Sequence, residues 1–309
     1  MALHPEYDAL LKQLAATPGP AISDMPVADG RATYRMMRPA APALDVGSVH
    51  DQSIPGPAGA IPIRVYSPPG RGPFPVLINF HGGGWVIGDL ETADAVSREF
   101  CRRAGCVVVS VDYRLAPEHR FPAAVDDSYA ATCWVAEHAA QFNGDPKRIA
   151  VGGESAGANL AAVVSHMARD RHGPAIAFQL LAYPVTAAKF DTASYQANAD
   201  GYLLTRAGME WFWDNYCPNV VERANPLATP LNAKNFAKLP AALILTAEYD
   251  PLRDEGEAYA AKLEAAGTTV ECVRFDGLIH DFLAMSQQLS AVKPAMDRAV
   301  AGLRNAFGN

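Results

Sequence analysis

From Ile61 onward the chain carries seven short apolar runs, IPIRVY, PVLINF, CVVVSV, RIAVGG, IAFQLLAY, AALILTA and VECVRF. They are rich in β-branched residues and nearly uninterrupted, the pattern of strands covered on both faces. Helix-length segments lie between them, at roughly 91–104, 121–140, 155–171 and 253–266, with a last one near 288–307. Strands alternating with helices predict an α/β fold, a mostly parallel central sheet flanked by helices. At the start, Leu3, Leu10, Leu11 and Leu14 repeat near helical spacing over residues 2–16, and Pro18, Gly19 and Pro20 then stop that helix. Residues 17–60 are rich in Pro, Gly and Ala. Residues 185–235 break the strand–helix rhythm, with aromatic residues at helical spacing and no strand. Together with the N-terminal segment, this insertion predicts a lid over the strand ends. The expected division is an N-terminal lid segment at 1–45, a main α/β domain at 46–184 and 236–309, and a lid insertion at 185–235.

Composition narrows the chemistry. Half of the 309 residues are hydrophobic and 19% are charged, enough apolar side chain to build a packed core. Lys and Arg number 26 against 33 Asp and Glu, a formal charge of -7, which repels a phosphate backbone and argues against nucleic acid. Five cysteines, an odd count without a CxxC pair, read as buried thiols of a reducing compartment and give no zinc site. The opening MALHPEYDALLKQLAA has neither a basic n-region nor an apolar h-region, and no later apolar stretch approaches the ~20 residues of a spanning helix. These features predict a soluble cytoplasmic protein without a membrane association.

Three positions along this frame carry reactive groups. RIAVGG runs into Gly153-Glu154-Ser155-Ala156-Gly157 and on into ANLAAVVSHMA. G-x-S-x-G at a strand-to-helix junction is a nucleophile elbow, in which a sharp turn strains the Ser and small flanking residues let strand and helix approach. Ser155 at a helix start also aims free N–H groups at an oxyanion; the bland alternative is a simple N-cap. PVLINF leads directly into His81-Gly82-Gly83-Gly84-Trp85, where successive glycines let backbone N–H groups point at one spot and, with the N–H of Ala156, bind that oxyanion. Glycines at 82, 83, 84 and 88 fit neither G-x-G-x-x-G nor a Walker loop, which argues against a dinucleotide or nucleotide. His81 precedes those glycines and reads as an organiser of the loop.

AALILTAEYDPLRDEGEAYAAKL reads as strand, turn and helix, with Asp250 in the turn, where an N-cap role before Pro251 is compatible with a chemical one. Asp254 and Glu255 fall in the following helix, and Glu248 lies closer to the strand. His280 sits in Asp276–Phe282, read as a loop beyond the last strand, with Asp281 beside it as surface polarity. The order Ser155, Asp250, His280 is the nucleophile, acid and base order of α/β-hydrolases.

With these pieces in place, the sequence resembles the bacterial hormone-sensitive-lipase-like carboxylesterases of the α/β-hydrolase superfamily. HGGGW at 81–85, DYRLAPEHRFPAA at 112–124, GGESAGANLA at 152–161, DPLRDEG at 250–256 and GLIHDF at 277–282 carry the resemblance. It implies an eight-stranded sheet, a two-part cap, and cofactor-free hydrolysis of short- to medium-chain esters through Ser155, Asp250 and His280. It also implies Gly82, Gly83 and Ala156 as oxyanion donors, and it is compatible with a homodimer. Where the family commonly has Asp or Thr before the nucleophile, this chain has Glu154. Tyr113, Arg114, Pro117 and Glu118 match a stretch read as scaffold beneath the oxyanion loop. Gly84, Trp85, Glu154, Tyr183 and Trp211 are the candidate substrate contacts; Tyr195, Tyr202 and Phe212 share that reading, with core packing as its rival for the aromatic rings. Motifs alone do not separate ester from amide hydrolysis, and a non-catalytic ligand-binding relative is a third reading.

Overall fold

The computed structural model describes residues 2–16, 19–38 and 44–308. Eight strands form one sheet: β1 (Ser48–Gly56), β2 (Gly59–Ser67), β3 (Phe74–Phe80), β4 (Val107–Val111), β5 (Gly144–Glu154), β6 (Phe178–Ala182), β7 (Ala241–Tyr249) and β8 (Val270–Ile279). Their order across the sheet is β1-β2-β4-β3-β5-β6-β7-β8. β1 and β2 form an antiparallel hairpin and β2 pairs antiparallel with β4, whereas every pairing from β4 to β8 is parallel. The predicted α/β class is what the chain adopts, and all seven apolar runs are strands. Every residue of VVVSV in β4 and of FQLLA in β6 is buried, as two-sided coverage requires.

Helices α3 (Asp94–Ala104) and α9 (Lys293–Phe307) pack on one face, where Phe100, Cys101, Ala299 and Leu303 join Leu77 and Leu243. On the other face α4 (Ala123–His138), α5 (Ala156–Asp170) and α8 (Arg253–Ala265) bury Val125, Val163 and Tyr259 against Ile78 and Ile244. The predicted helix near 288–307 starts only at Lys293, after a 3₁₀ turn at Ser290–Val292.

Three differences from the sequence reading stand out. A polar edge strand, β1, precedes the first predicted one, and the stretch rich in Pro, Gly and Ala contains a helix, α2 (Val27–Met36), beside the expected α1 (Pro5–Ala16). Pro18, the expected helix stop, lies outside the described residues. The last strand runs on through Asp276–Ile279, which the sequence had placed in a loop, after an irregularity in its pairing with β7. His280 is therefore delivered directly by a strand end. The 185–235 stretch holds the short helix α6 (Ala193–Ala197) and the longer α7 (Arg206–Tyr216), and no strand. Ile22 lies against the latter helix, 3.7 Å from where a side chain on Gly208 would begin.

Candidate active site

The carboxyl ends of the parallel strands β3, β5, β7 and β8 deliver HGGGW, Ser155, Asp250 and His280 to one edge of the sheet, the edge at which parallel α/β sheets present their ligands. β5 ends at Glu154 and α5 begins at Ala156, so the whole reversal falls on Ser155, with φ 54° and ψ -117°. That is a sparsely populated conformation for a residue with a Cβ, held by the elements on either side. The flanking glycines are required sterically: a Cβ on Gly157 would stand 1.9 Å from the Phe80 carbonyl oxygen, and one on Gly153 2.5 Å from the same atom. The Ser155 side chain makes no capping bond to its own helix. Its hydroxyl lies 3.0 Å from Nε2 of His280.

Asp250 is fully buried, and its two carboxylate oxygens have separate partners. Oδ1 accepts the backbone N–H of Leu252 at 2.8 Å, closing the turn that Pro251 occupies. Oδ2 accepts from Nδ1 of His280 at 2.7 Å. Because a carboxylate only accepts, the proton of neutral His280 sits on Nδ1 and leaves Nε2 to accept from the Ser155 hydroxyl. Burial alone would depress the His280 pKa, but the Asp250 charge and hydrogen bond outweigh it and hold the imidazole above its ordinary 6.5. The competing carboxylates go elsewhere: Glu248 accepts from the Gly277 N–H, Asp254 from the Ser194 N–H, and Glu255 from the N–H groups of Thr186 and Ala187.

The HGGGW loop is folded tightly. Gly83, at φ 115°, accepts from Val86 and Ile87, and a Cβ there would lie 2.1 Å from the Ile87 carbonyl oxygen. Gly82 faces the Glu154 carbonyl, while Ala156 opens α5, so its N–H has no intrahelical partner. His81 is buried, stacks on Tyr113 with ring centroids 4.2 Å apart, and donates from Nδ1 to the Gly82 carbonyl. Burial lowers its pKa to about 4, so it stays neutral. The Tyr113 hydroxyl donates to the His81 carbonyl at 2.8 Å, Arg114 pairs with buried Asp127, and Glu118 pairs with Arg31 of the helix at Val27–Met36. Pro117 follows Ala116, whose carbonyl accepts from the same Arg31.

Of the candidate substrate contacts, Gly84 touches the Phe212 ring, which stands where a Cβ would be. Trp85 has no exposed surface; it stacks on Tyr216 at 4.2 Å and tilts against Trp213 at 4.8 Å, which makes it a packing wedge between loop and insertion. Tyr183 is buried and meets the His280 ring edge to face, with centroids 4.8 Å apart, and its hydroxyl donates to Glu154 at 3.2 Å. Burial raises the Glu154 carboxyl to about 7. Trp211 is partly buried and meets Phe212 edge to face. Tyr195 is buried against Phe190, and Tyr202 leans on Tyr249.

Close to this centre the sequence reading misplaced Asp281 and missed Arg38 and Asn198. Asp281, expected at the surface, is only 8% exposed and forms an ion pair with Arg38. The partners are 243 positions apart, and no motif links them. Asn198 of the insertion donates to the Asp250 carbonyl at 3.2 Å, again without a local signal. Among the described residues no cluster of three or more His, Cys, Asp or Glu could hold a metal, and no helix is long and apolar enough to cross a membrane.

Known proteins share this frame. The model of the α/β-hydrolase fold family matches residues 77–284. The carboxylic ester hydrolase LipN of Mycobacterium tuberculosis is 45% identical over 293 residues, covering 93% of this chain and 78% of its own. The ethyl acetate hydrolase of Pseudomonas putida is 37% identical over 248 residues, covering 79% and 78%. The crystal structure of a thermostable esterase from Pseudomonas putida superposes with a TM-score of 0.95 at 41% identity, covering 99% of this chain and 98% of that one. The chain belongs to the α/β-hydrolase fold family, within its hormone-sensitive-lipase-like group of carboxylesterases.

Proposed function

We propose that this protein is a serine carboxylesterase that hydrolyses short- to medium-chain esters through an acyl-enzyme on Ser155. The observation that carries the reading is the continuous chain of contacts from Asp250 through His280 to Ser155, 2.7 and 3.0 Å. The relatives named as ester hydrolases support the bond class. In the proposed reaction His280 takes the Ser155 proton as Oγ attacks the ester carbonyl, and the N–H groups of Gly82, Gly83 and Ala156 hold the oxyanion. Collapse of the tetrahedral intermediate expels the alkoxide, which His280 protonates. A water molecule, deprotonated by the same imidazole, then attacks the acyl carbonyl and releases the acid and free Ser155.

The cap belongs to the same proposal: segments 1–45 and 185–235 cover the domain formed by 46–184 and 236–309. The contacts of Phe212 with Gly84 and of Arg31 with Glu118 support it. All five cysteines are free thiols, in keeping with action in the cytoplasm, but against the expectation of buried thiols Cys133 is half-buried and Cys272 exposed. A homodimer is part of the reading on the family resemblance, and sedimentation velocity tests it.

The decisive experiment is turnover of p-nitrophenyl esters from acetate to palmitate by wild type and Ser155→Ala, with circular dichroism to show that both are folded. The expected result is turnover of the shorter esters that falls about a million-fold in the variant. A folded variant that keeps its rate, or a wild type inert on every ester, overturns the proposal and brings the amide and ligand-binding readings forward.

A further inference from the structure

We propose that Arg38 is a positioning residue for His280: it neutralises Asp281 on the adjoining loop and fastens that loop from the far end of the chain. The inference rests on the reading of His280 as general base. Asp281 follows the base directly and is left-handed, with φ 69° and ψ 22°, a conformation that a residue with a Cβ adopts at a cost. Its buried carboxylate needs a compensating charge. Arg38 supplies it, and both side chains are only 12% exposed. Arg38 is itself fixed, since its Nη1 donates to the Thr92 carbonyl and its guanidinium lies over the Tyr34 ring at 4.2 Å. One side chain thus joins the Val27–Met36 helix, the loop at Asp89–Thr92 and the base loop.

The arrangement has an electrostatic consequence. Facing His280 are Asp250 after β7, Ser155 at the elbow, Glu154 at the end of β5, Tyr183 after β6, Asp281 on its own loop, and Arg38 from the N-terminal segment. Asp281 favours the imidazolium and Arg38 opposes it. Removing either charge should therefore move the protonation of the base in opposite directions, whereas a merely structural pair moves it not at all.

The test measures kcat/KM against pH together with the His280 imidazole titration by NMR, in folded wild type, Arg38→Gln, Asp281→Asn, the double variant and Arg38→Lys. Each is repeated with Glu154→Gln, because Glu154 titrates in the same range and also feels Arg38. Arg38→Gln should raise the acid limb and the titration midpoint by about half a pH unit to one unit, and Asp281→Asn should lower them by a similar amount. The double variant and Arg38→Lys should return close to wild type. If Arg38→Gln does not fold, the Asp281→Asn shift decides alone. Midpoints that stay in place, or that move the same way in both single variants, overturn the proposal. An NMR response of opposite signs in a wild type without ester turnover would keep the charge pair and remove the general-base reading.

Discussion

Asp250 satisfies two demands with one carboxylate, because Oδ1 closes the turn after β7 and Oδ2 orients His280. The sequence allows an N-cap role before Pro251 beside a chemical one; the helix starts only at Arg253, with Leu252 as its cap residue, so Asp250 closes the preceding turn and does not cap the helix. What made Ser155, Asp250 and His280 legible is that each stands at the end of an apolar strand within a distinctive local string. Arg38 and Asn198 have no such string and reach the site only through folding, so single-sequence reasoning had nothing to detect. The electrostatics of His280 lead to a prediction at this scale. The Asp250 carboxylate overrides burial and holds the imidazole above 6.5, and only the neutral form accepts the Ser155 proton. Activity should therefore be lost as pH falls through a midpoint above 6.5, not at or below it. Asp250→Asn should cut kcat by about ten-thousand-fold by presenting the wrong tautomer, and should shift the residual acid limb downward. A kcat/KM profile from pH 5 to 9 checks both, and a wild-type midpoint well under 6.5 contradicts the assignment.

Elements differed in how visible they were, for a physical reason. Strands β3, β4, β6 and β7 and the second half of β5 are buried on both faces and so read as continuous apolar runs. β1 buries only Ile54, and the helix Val27–Met36 buries only Gly30, so neither leaves a hydrophobic signature. That helix is fastened by polar bonds instead. Arg31 donates from Nε to the Val86 carbonyl at 2.9 Å and from Nη2 to the Ala116 carbonyl at 3.0 Å, besides its pairing with Glu118. Glu118 is 55% exposed, so the ion pair itself contributes little; the bonds to carbonyls of the loop next to HGGGW matter more. Arg31→Ala should destabilise the protein by about 1 to 3 kcal/mol. Hydrogen exchange in 27–36 should speed up by more than it does in the central strands. Equal acceleration everywhere would mean that Arg31 contributes to global stability without fastening this helix.

At the scale of the whole molecule, an acidic chain buries several titratable groups, and their opposite shifts shape stability against pH. Burial lowers His81 and His166 to about 4, so their contribution is present above 6.5 and is lost as pH falls toward 4. Burial raises Glu154 to about 7 and Glu255 to about 8. For these the sign reverses: stability is complete below the ordinary 4.5 and declines as pH rises through the raised values. Between 4.5 and 6.5 the two pairs oppose each other, and above 6.5 the histidine pair no longer contributes while the two carboxyls still lower stability, together with His280, whose raised imidazole acts in the same direction. Glu255 isolates the effect well, because it anchors the start of the insertion from α8. Its Oε1 accepts from Thr186 at 2.7 Å and Ala187 at 3.1 Å, bonds that a glutamine carbonyl can also accept. Among the described residues its buried Oε2 has no partner, so an ionised form would carry an unsatisfied charge. Glu255→Gln should accordingly be close to wild type in Tm at pH 5 and more stable than wild type at pH 8, by on the order of a few kcal/mol at most. Other groups titrate alike in both proteins and cancel in the difference. A difference in Tm that stays flat from pH 5 to pH 8 would show that Glu255 is not held neutral in the fold, and the alkaline decline would then have to come from the other raised groups, Glu154, Asp112 and His280 among them.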